Sequence, residues 1–159
     1  MPSKSLFAIL FIFLSLAGFS QSEKLSMDAL IKRNLALAKE QYALLESKLP
    51  ADRMPKSFNM QTEKLETSDT KWWCSGFYPG TLWYIHEYTK DADTRKAAEA
   101  RLAILEKEKH FKGNHDLGFM MYCSFGNAYR ITGNPSYKTT IDTAAMSLAT
   151  RFRPSIQSI

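Results

Sequence analysis

The stretch best equipped for chemistry is Asn114-His115-Asp116-Leu117-Gly118-Phe119. An amide, an imidazole and a carboxylate stand in a row just where an apolar helical run begins. Asp116 has two readings there. Aspartate ahead of such a run accepts hydrogen bonds from the first free amides and serves as an N-terminal cap. The same position also holds a carboxylate rigidly at the end of a helix. Cleavage of a glycosidic link needs such a group, paired with a second carboxyl of well-separated pKa. The two roles are compatible. His115 is a hydrogen-bond partner for Asp116 on the second reading and a structural neighbour of the cap on the first.

A second cluster lies upstream in Lys71 to Tyr84, KWWCSGFYPGTLWY, where Trp72, Trp73, Tyr78, Trp83 and Tyr84 crowd a loop-to-helix junction. Aromatic faces stack on the apolar C–H faces of sugar rings. By spacing, Trp83 and Tyr84 are packing residues. Trp73 precedes the helix and so is free to meet a ligand. Cys74 and Cys123 fall in no CxxC or Cys/His ligand spacing, so a metal site has no support, and the two are read either as buried free thiols or as a pair. His86 and His110 have no evident partner and are read as surface or packing residues.

The elements that must position these residues are helical. Ser26 is a plausible N-cap, and Ile31, Leu35, Ala38, Tyr42, Leu45 and Leu49 step along one face until Pro50. Residues Pro50 to Lys71 show no sustained period and are expected to form a long loop. A second helix opens between Ser75 and Thr81 and continues through Trp83, Tyr84 and Tyr88. A third follows an Asp93 cap through Ala97, Ala98, Leu102 and Leu105. A fourth carries Leu117, Met121, Ser124, Ala128 and Ile131 and ends at Gly133 in a left-handed cap. After Asn134-Pro135 a fifth carries Tyr137, Ile141, Ala144, Leu148 and Phe152. No strand-like alternation competes. Gly76-Phe77 recurs as Gly118-Phe119, 42 residues on, and Thr89, Asp91 and Arg95 have counterparts in Thr132, Asn134 and Lys138, 43 on. Each unit is one helical hairpin, and such units need neighbours to bury their apolar faces.

With 45% hydrophobic and 13% aromatic residues the chain has enough apolar matter for a core. Its net charge of +5 comes from charges interspersed along helices, as in Arg95 to Lys109, with no basic tract for nucleic acid. At the start, Lys4, the apolar run Leu6–Leu16 and the small residues Ala17, Gly18 and Ser20 have the order of a secretory signal. The run is short for a bilayer span, so a stable membrane anchor is not expected. The organisation expected is a signal peptide over residues 1–20 and a helical domain over 21–159, in a protein exported to the periplasm. Because the last helix lacks a partner, residues 21–159 are expected to be the truncated amino-terminal part of a longer catalytic domain.

Three segments, WCSGFYPGTLWYIHEYT (Trp73–Thr89), NHDLGF (Asn114–Phe119) and AAMSLATRFRP (Ala144–Pro154), resemble the amino-terminal part of the unsaturated glucuronyl hydrolases, glycoside hydrolase family 88, also called unsaturated chondroitin disaccharide hydrolases. The resemblance implies an all-α fold, an (α/α)6 toroid of six helical hairpins of which this chain holds the first five or so helices. It implies a glycosidase that removes the Δ4,5-unsaturated uronic acid from oligosaccharides that lyases release from glycosaminoglycans, with no metal or organic cofactor. An acid protonates C4 of the enol ether, water adds at C5, and the hemiketal opens to expel the remaining sugar. By this resemblance Asp116 falls on the family's first catalytic aspartate and Trp73 on a tryptophan lining the substrate subsite; His115, as the neighbour of Asp116, is expected to join them in binding substrate. The second aspartate lies downstream in the family, so the 159-residue polypeptide alone is expected to be inactive. Two alternatives share some of these features: a toroidal hydrolase of unsaturated rhamnogalacturonan, and a helical module that binds carbohydrate without chemistry.

Overall fold

The computed structural model describes residues 25–159, so the secretory-signal reading of residues 1–20 lies outside the described residues. The chain divides into Met1–Arg33 and Asn34–Ile159. In the first unit, the opening turn of α1 (Met27–Lys48) is capped by Ser26, whose Oγ accepts the Ala29 amide at 3.2 Å. In the second, α1 turns Leu35, Ala38, Tyr42 and Leu45 to its partly covered face and stops before Leu49 and Pro50. A proline ring cannot continue the hydrogen-bond ladder.

Residues 50–71 are where the loop expectation fails. Met54–Asn59 (β1) and Lys64–Ser68 (β2) form an antiparallel hairpin, pairing Met54 with Ser68 and Phe58 with Leu65. Alternation is hidden in the sequence because the register slips between Pro55 and Ser57, a bulge that puts Met54 and Phe58 out of simple period two. The turn is built from side chains: Asn59 Oδ1 accepts the amides of Gln61 at 3.0 Å and Thr62 at 2.9 Å, and Glu63 takes a left-handed φ of 52°. The base of the hairpin is held by Arg101, buried in the core. Its guanidinium grips the Glu46 carboxylate at 2.7 Å and donates to the carbonyls of Pro50 and Arg53 at 2.8 Å each.

Five further helices follow: α2 (Phe77–Thr89), α3 (Ala92–Leu105), α4 (Leu117–Met121) and α5 (Asn127–Thr132), joined into one rod by a π turn at Tyr122–Gly126, and α6 (Pro135–Ala149). A 3-10 turn, Glu106–His110, leads from α3 toward the rod. The π turn breaks the predicted uniform helix and leaves backbone carbonyls to side chains. Ser124 Oγ donates to Met120 O at 2.6 Å, and Asn127 Nδ2 donates to Cys123 O at 2.8 Å.

The repeat seen in the sequence is a repeat of geometry. Lys90 and Gly133 both take left-handed φ, 59° and 68°, to close α2 and α5. One residue later Asp91 and Asn134 cap α3 and α6, accepting the amides of Thr94 at 2.9 Å and Ser136 at 3.0 Å. The cap of α3 is therefore Asp91, and Asp93, expected in that role, sits in the first turn. An i,i+4 ion pair follows in each unit, Arg95 with Glu99 and Lys138 with Asp142. Between the hairpins lies one core of Leu82, Trp83, Leu102, Leu105, Leu117, Met120, Met121 and Phe125, into which Met54 also reaches.

Two glycines let the hairpins meet backbone to backbone. A Cβ on Gly76 would lie 2.0 Å from Met120 O, and one on Gly80 would lie 2.3 Å from Cys123 O. Gly118, the counterpart of Gly76 in the repeat, has nothing within 4 Å of a Cβ.

Candidate functional site

The helices α2 and α4 start side by side, and the residues just before them form one rim. On one side the chain reaches α2 through a tight turn in which Ser75 N donates to Trp72 O at 2.9 Å and Phe77 N to Cys74 O at 3.0 Å. This turn lifts Trp73 off the core, leaving it 45% exposed. On the other side Asn114 Oδ1 accepts the Asp116 amide at 2.8 Å, and Asp116 O accepts the Met120 amide at 3.1 Å to begin α4.

This geometry bears on the capping reading of Asp116. It occupies the N-cap position with φ −82° and ψ 7°, yet its side chain makes no capping bond. Asn114 ties the turn instead. The Asp116 carboxylate, 22% exposed, is left to face His115, whose Nε2 stands 3.4 Å from Oδ1. The imidazole itself is mostly in solvent. The carboxylate's charge reaches the first rim segment: the Cys74 thiol is pushed above its ordinary pKa, chiefly by burial and further by Asp116.

Trp73 and Asp116 are brought to one place by two phenylalanines. The Trp73 indole packs edge-on against Phe77 at 5.8 Å and Phe119 at 6.4 Å between ring centroids, and the two phenylalanines meet at 6.2 Å. Phe119 lies one helical turn beyond Asp116. The result is an exposed aromatic platform beside a carboxylate, an arrangement that can hold the apolar face of a sugar ring while the acid addresses its polar edge. Phe77 and Phe119 are the second halves of the repeated Gly-Phe pair, a recurrence visible in the sequence that does not by itself show that the two rings meet.

Other aromatics separate from this rim. Trp72 backs Trp73 at 6.4 Å. Tyr78 is buried, stacked on Tyr42 at 5.6 Å with its hydroxyl donating to Glu46, and burial together with that carboxylate pushes its pKa up. Trp83 is fully buried, as its spacing predicts. Tyr84 corrects the same expectation: it is 54% exposed with the Arg130 guanidinium 5.7 Å above its ring. His86 is a structural residue, its Nδ1 2.8 Å from Asp91 O. Cys74 and Cys123 are both free and half-buried. Among the described residues no three metal-ligating side chains converge.

The fold is all-α in its framework, helical hairpins of the α/α toroid type. No protein-family model matches the chain. It is 34% identical over 129 residues to an unsaturated glucuronyl hydrolase of Formosa agariphila, covering 76% of this chain and 32% of that protein. It is 28% identical over 102 residues to an unsaturated chondroitin disaccharide hydrolase of Streptococcus agalactiae, covering 62% of this chain and 25% of that one. Its backbone superposes with a TM-score of 0.72 on the crystal structure of an unsaturated glucuronyl hydrolase specific for heparin, at 33% identity, covering 77% of this chain and 33% of the other. The chain is thus related in sequence and in backbone to the unsaturated glucuronyl hydrolases, and it spans about a third of the length of those relatives.

Proposed function

We propose that this chain supplies one wall of the active site of a glycoside hydrolase that removes Δ4,5-unsaturated uronic acid from lyase-generated glycosaminoglycan oligosaccharides. Trp73, with Phe77 and Phe119 behind it, stacks the unsaturated ring. Asp116 is a catalytic carboxylate, and His115 binds substrate beside it. The observation that carries this reading is the carboxylate of Asp116, released from capping and held beside an exposed aromatic platform.

In the reaction a proton is added at C4 of the enol ether and the hydroxyl of water at C5. The hemiketal so formed opens, and the remaining sugar leaves as a free alcohol with its proton. Glycosidases commonly divide proton transfer and charge stabilisation between two carboxyl groups, and the same division is proposed here. Asp116 partners the proton donor, which the relatives' greater length accommodates outside the portion matched here. No step needs a metal or organic cofactor. We further propose that the protein is exported to the periplasm, on the strength of the residue order in 1–20.

The test is a paired assay on protein expressed from the complete reading frame. Unsaturated chondroitin disaccharide should lose the ultraviolet absorbance of its double bond, while the pectin-derived unsaturated rhamnogalacturonan disaccharide should keep it. The opposite preference moves the assignment to the pectin-directed hydrolases. Carbohydrate affinity with no loss of absorbance, unchanged by Asp116→Asn, makes the platform a passive binding surface.

A further inference from the structure

Trp73 lies in the middle of a seven-residue strap, 70–76, whose two ends are both pinned to the segment that carries Asp116. At the downstream end the pin is backbone on backbone, Gly76 against the Met120 carbonyl. At the upstream end it is a side-chain bond: Thr70 Oγ1 donates to Glu108 Oε1, thirty-eight residues away and with both side chains buried. Among the described residues it is the one side-chain hydrogen bond between residues 69–76 and 106–120.

Glu108 is an odd residue to bury for stability alone. Taking a carboxylate out of water is costly, and a single hydroxyl offsets only part of that cost. No ion pair reaches it among the described residues, although Lys71 and Lys107 line the same surface hollow. The carbonyl of Glu108 meanwhile accepts the Phe111 amide at 2.8 Å, closing the 3-10 turn from which the chain runs on to Asp116. One residue thus ties off the start of the Asp116 segment and grips the start of the Trp73 strap.

We propose that Thr70 and Glu108 are positioning residues: their buried hydrogen bond sets where the Trp73 indole stands relative to the Asp116 carboxylate. The assignment rests on the functional reading above. It predicts that cutting the bond lets the strap swing about its Gly76 end, so that the indole leaves its contact with Phe119 while the core beneath stays packed.

The experiment uses the 159-residue chain with its three tryptophans labelled as 5-fluorotryptophan, each fluorine resonance assigned by a Trp→Phe variant. Thr70→Val and Glu108→Met cut the bond from either side, and Thr70→Ser and Glu108→Gln keep it. Unsaturated chondroitin disaccharide is the binding probe. In the two cut variants the Trp73 resonance should move and broaden and the disaccharide Kd should rise about tenfold, the factor that a hydrogen bond's worth of misplacement gives. The buried Trp83 resonance should stay in place, and the two conservative variants should behave as wild type. A wild-type chain that binds no disaccharide leaves the functional reading to the assay on protein from the complete reading frame, and the Trp73 resonance then decides the positioning by itself. The proposal is overturned if the cut variants keep the wild-type Trp73 resonance and affinity, including when they only melt earlier. It is equally overturned if both lose their helical circular dichroism, since the bond then holds the fold and not the indole.

Discussion

Gly76 and Gly118 occupy equivalent places in the two hairpins, and the structure assigns them opposite sensitivities. A methyl group on Gly76 would sit 2.0 Å from Met120 O, 2.6 Å from its carbonyl carbon and 2.8 Å from its Cα. All three are backbone atoms within a helix, so no rotamer change relieves the clash. The two helices must part by more than 1 Å, roughly, over a core that is close-packed, and overpacking of this kind costs about 3 kcal/mol. For a chain of this size each kcal/mol lowers Tm by about 2 to 4 °C, so Gly76→Ala should melt about 6 to 12 °C early. Gly118 has nothing within 4 Å of an added Cβ and lies in helical backbone. Gly118→Ala should therefore be neutral or stabilising by up to about 1 kcal/mol through helix propensity. Thermal and urea unfolding followed by circular dichroism measure both. Equal losses for the two substitutions, or none for Gly76→Ala, would refute the backbone-contact argument.

The two helix caps should differ in their response to acid. Asp91 has its pKa held below the ordinary carboxylate range by the Thr94 amide and hydroxyl and then by Lys39. A depressed folded-state pKa contributes stability that is present above the unfolded value and lost as pH falls through the folded one. Asp91→Ala should cost about 1 kcal/mol at neutral pH. That difference should shrink as the pH falls below the ordinary aspartate range and through the lower folded-state value, whereas the deficit of Asn134→Ala, at an uncharged cap, should persist in acid. In a Cys123→Ser background the Cys74 thiol should react with a disulfide reagent only at higher pH than an ordinary cysteine, and Asp116→Asn should lower that pH while the effect of burial remains. An unchanged profile would mean that the carboxylate does not face the Trp73 strap.

The helical hairpins were legible because their faces repeat at the helical period and their ends carry Ser26, Asn134 and Gly133, residues whose local chemistry announces a boundary. What escaped notice depended on contacts distant in sequence or on broken periods. The 54–68 hairpin was hidden by its bulge, and its seat in the fold is made by Arg101, a residue on another element. The π turn has no pattern of its own, only Ser124 and Asn127 placed to take up carbonyls. Asp91 and Asp93 are equally good caps on paper, and the chain selects Asp91 because the left-handed Lys90 has already closed α2. At the site, Asp116 and Trp73 could be singled out by type and place. The aromatic bridge of Phe77 and Phe119 that joins them could not, since it exists only once the two hairpins pack. Glu108 offered no signal at all, being one of several charges in a run that otherwise faces solvent.

The central claim is that the Asp116 carboxylate does chemistry and does not cap a helix, and one substitution separates these roles. Asp116→Asn, made in protein from the complete reading frame and assayed by the disappearance of the double bond of unsaturated chondroitin disaccharide, should slow turnover by several powers of ten. Its stability should change by less than about 0.5 kcal/mol, because no capping bond is lost. A variant that turns over near the wild-type rate, or one that unfolds about 1 kcal/mol more easily with its rate otherwise preserved, would contradict the account.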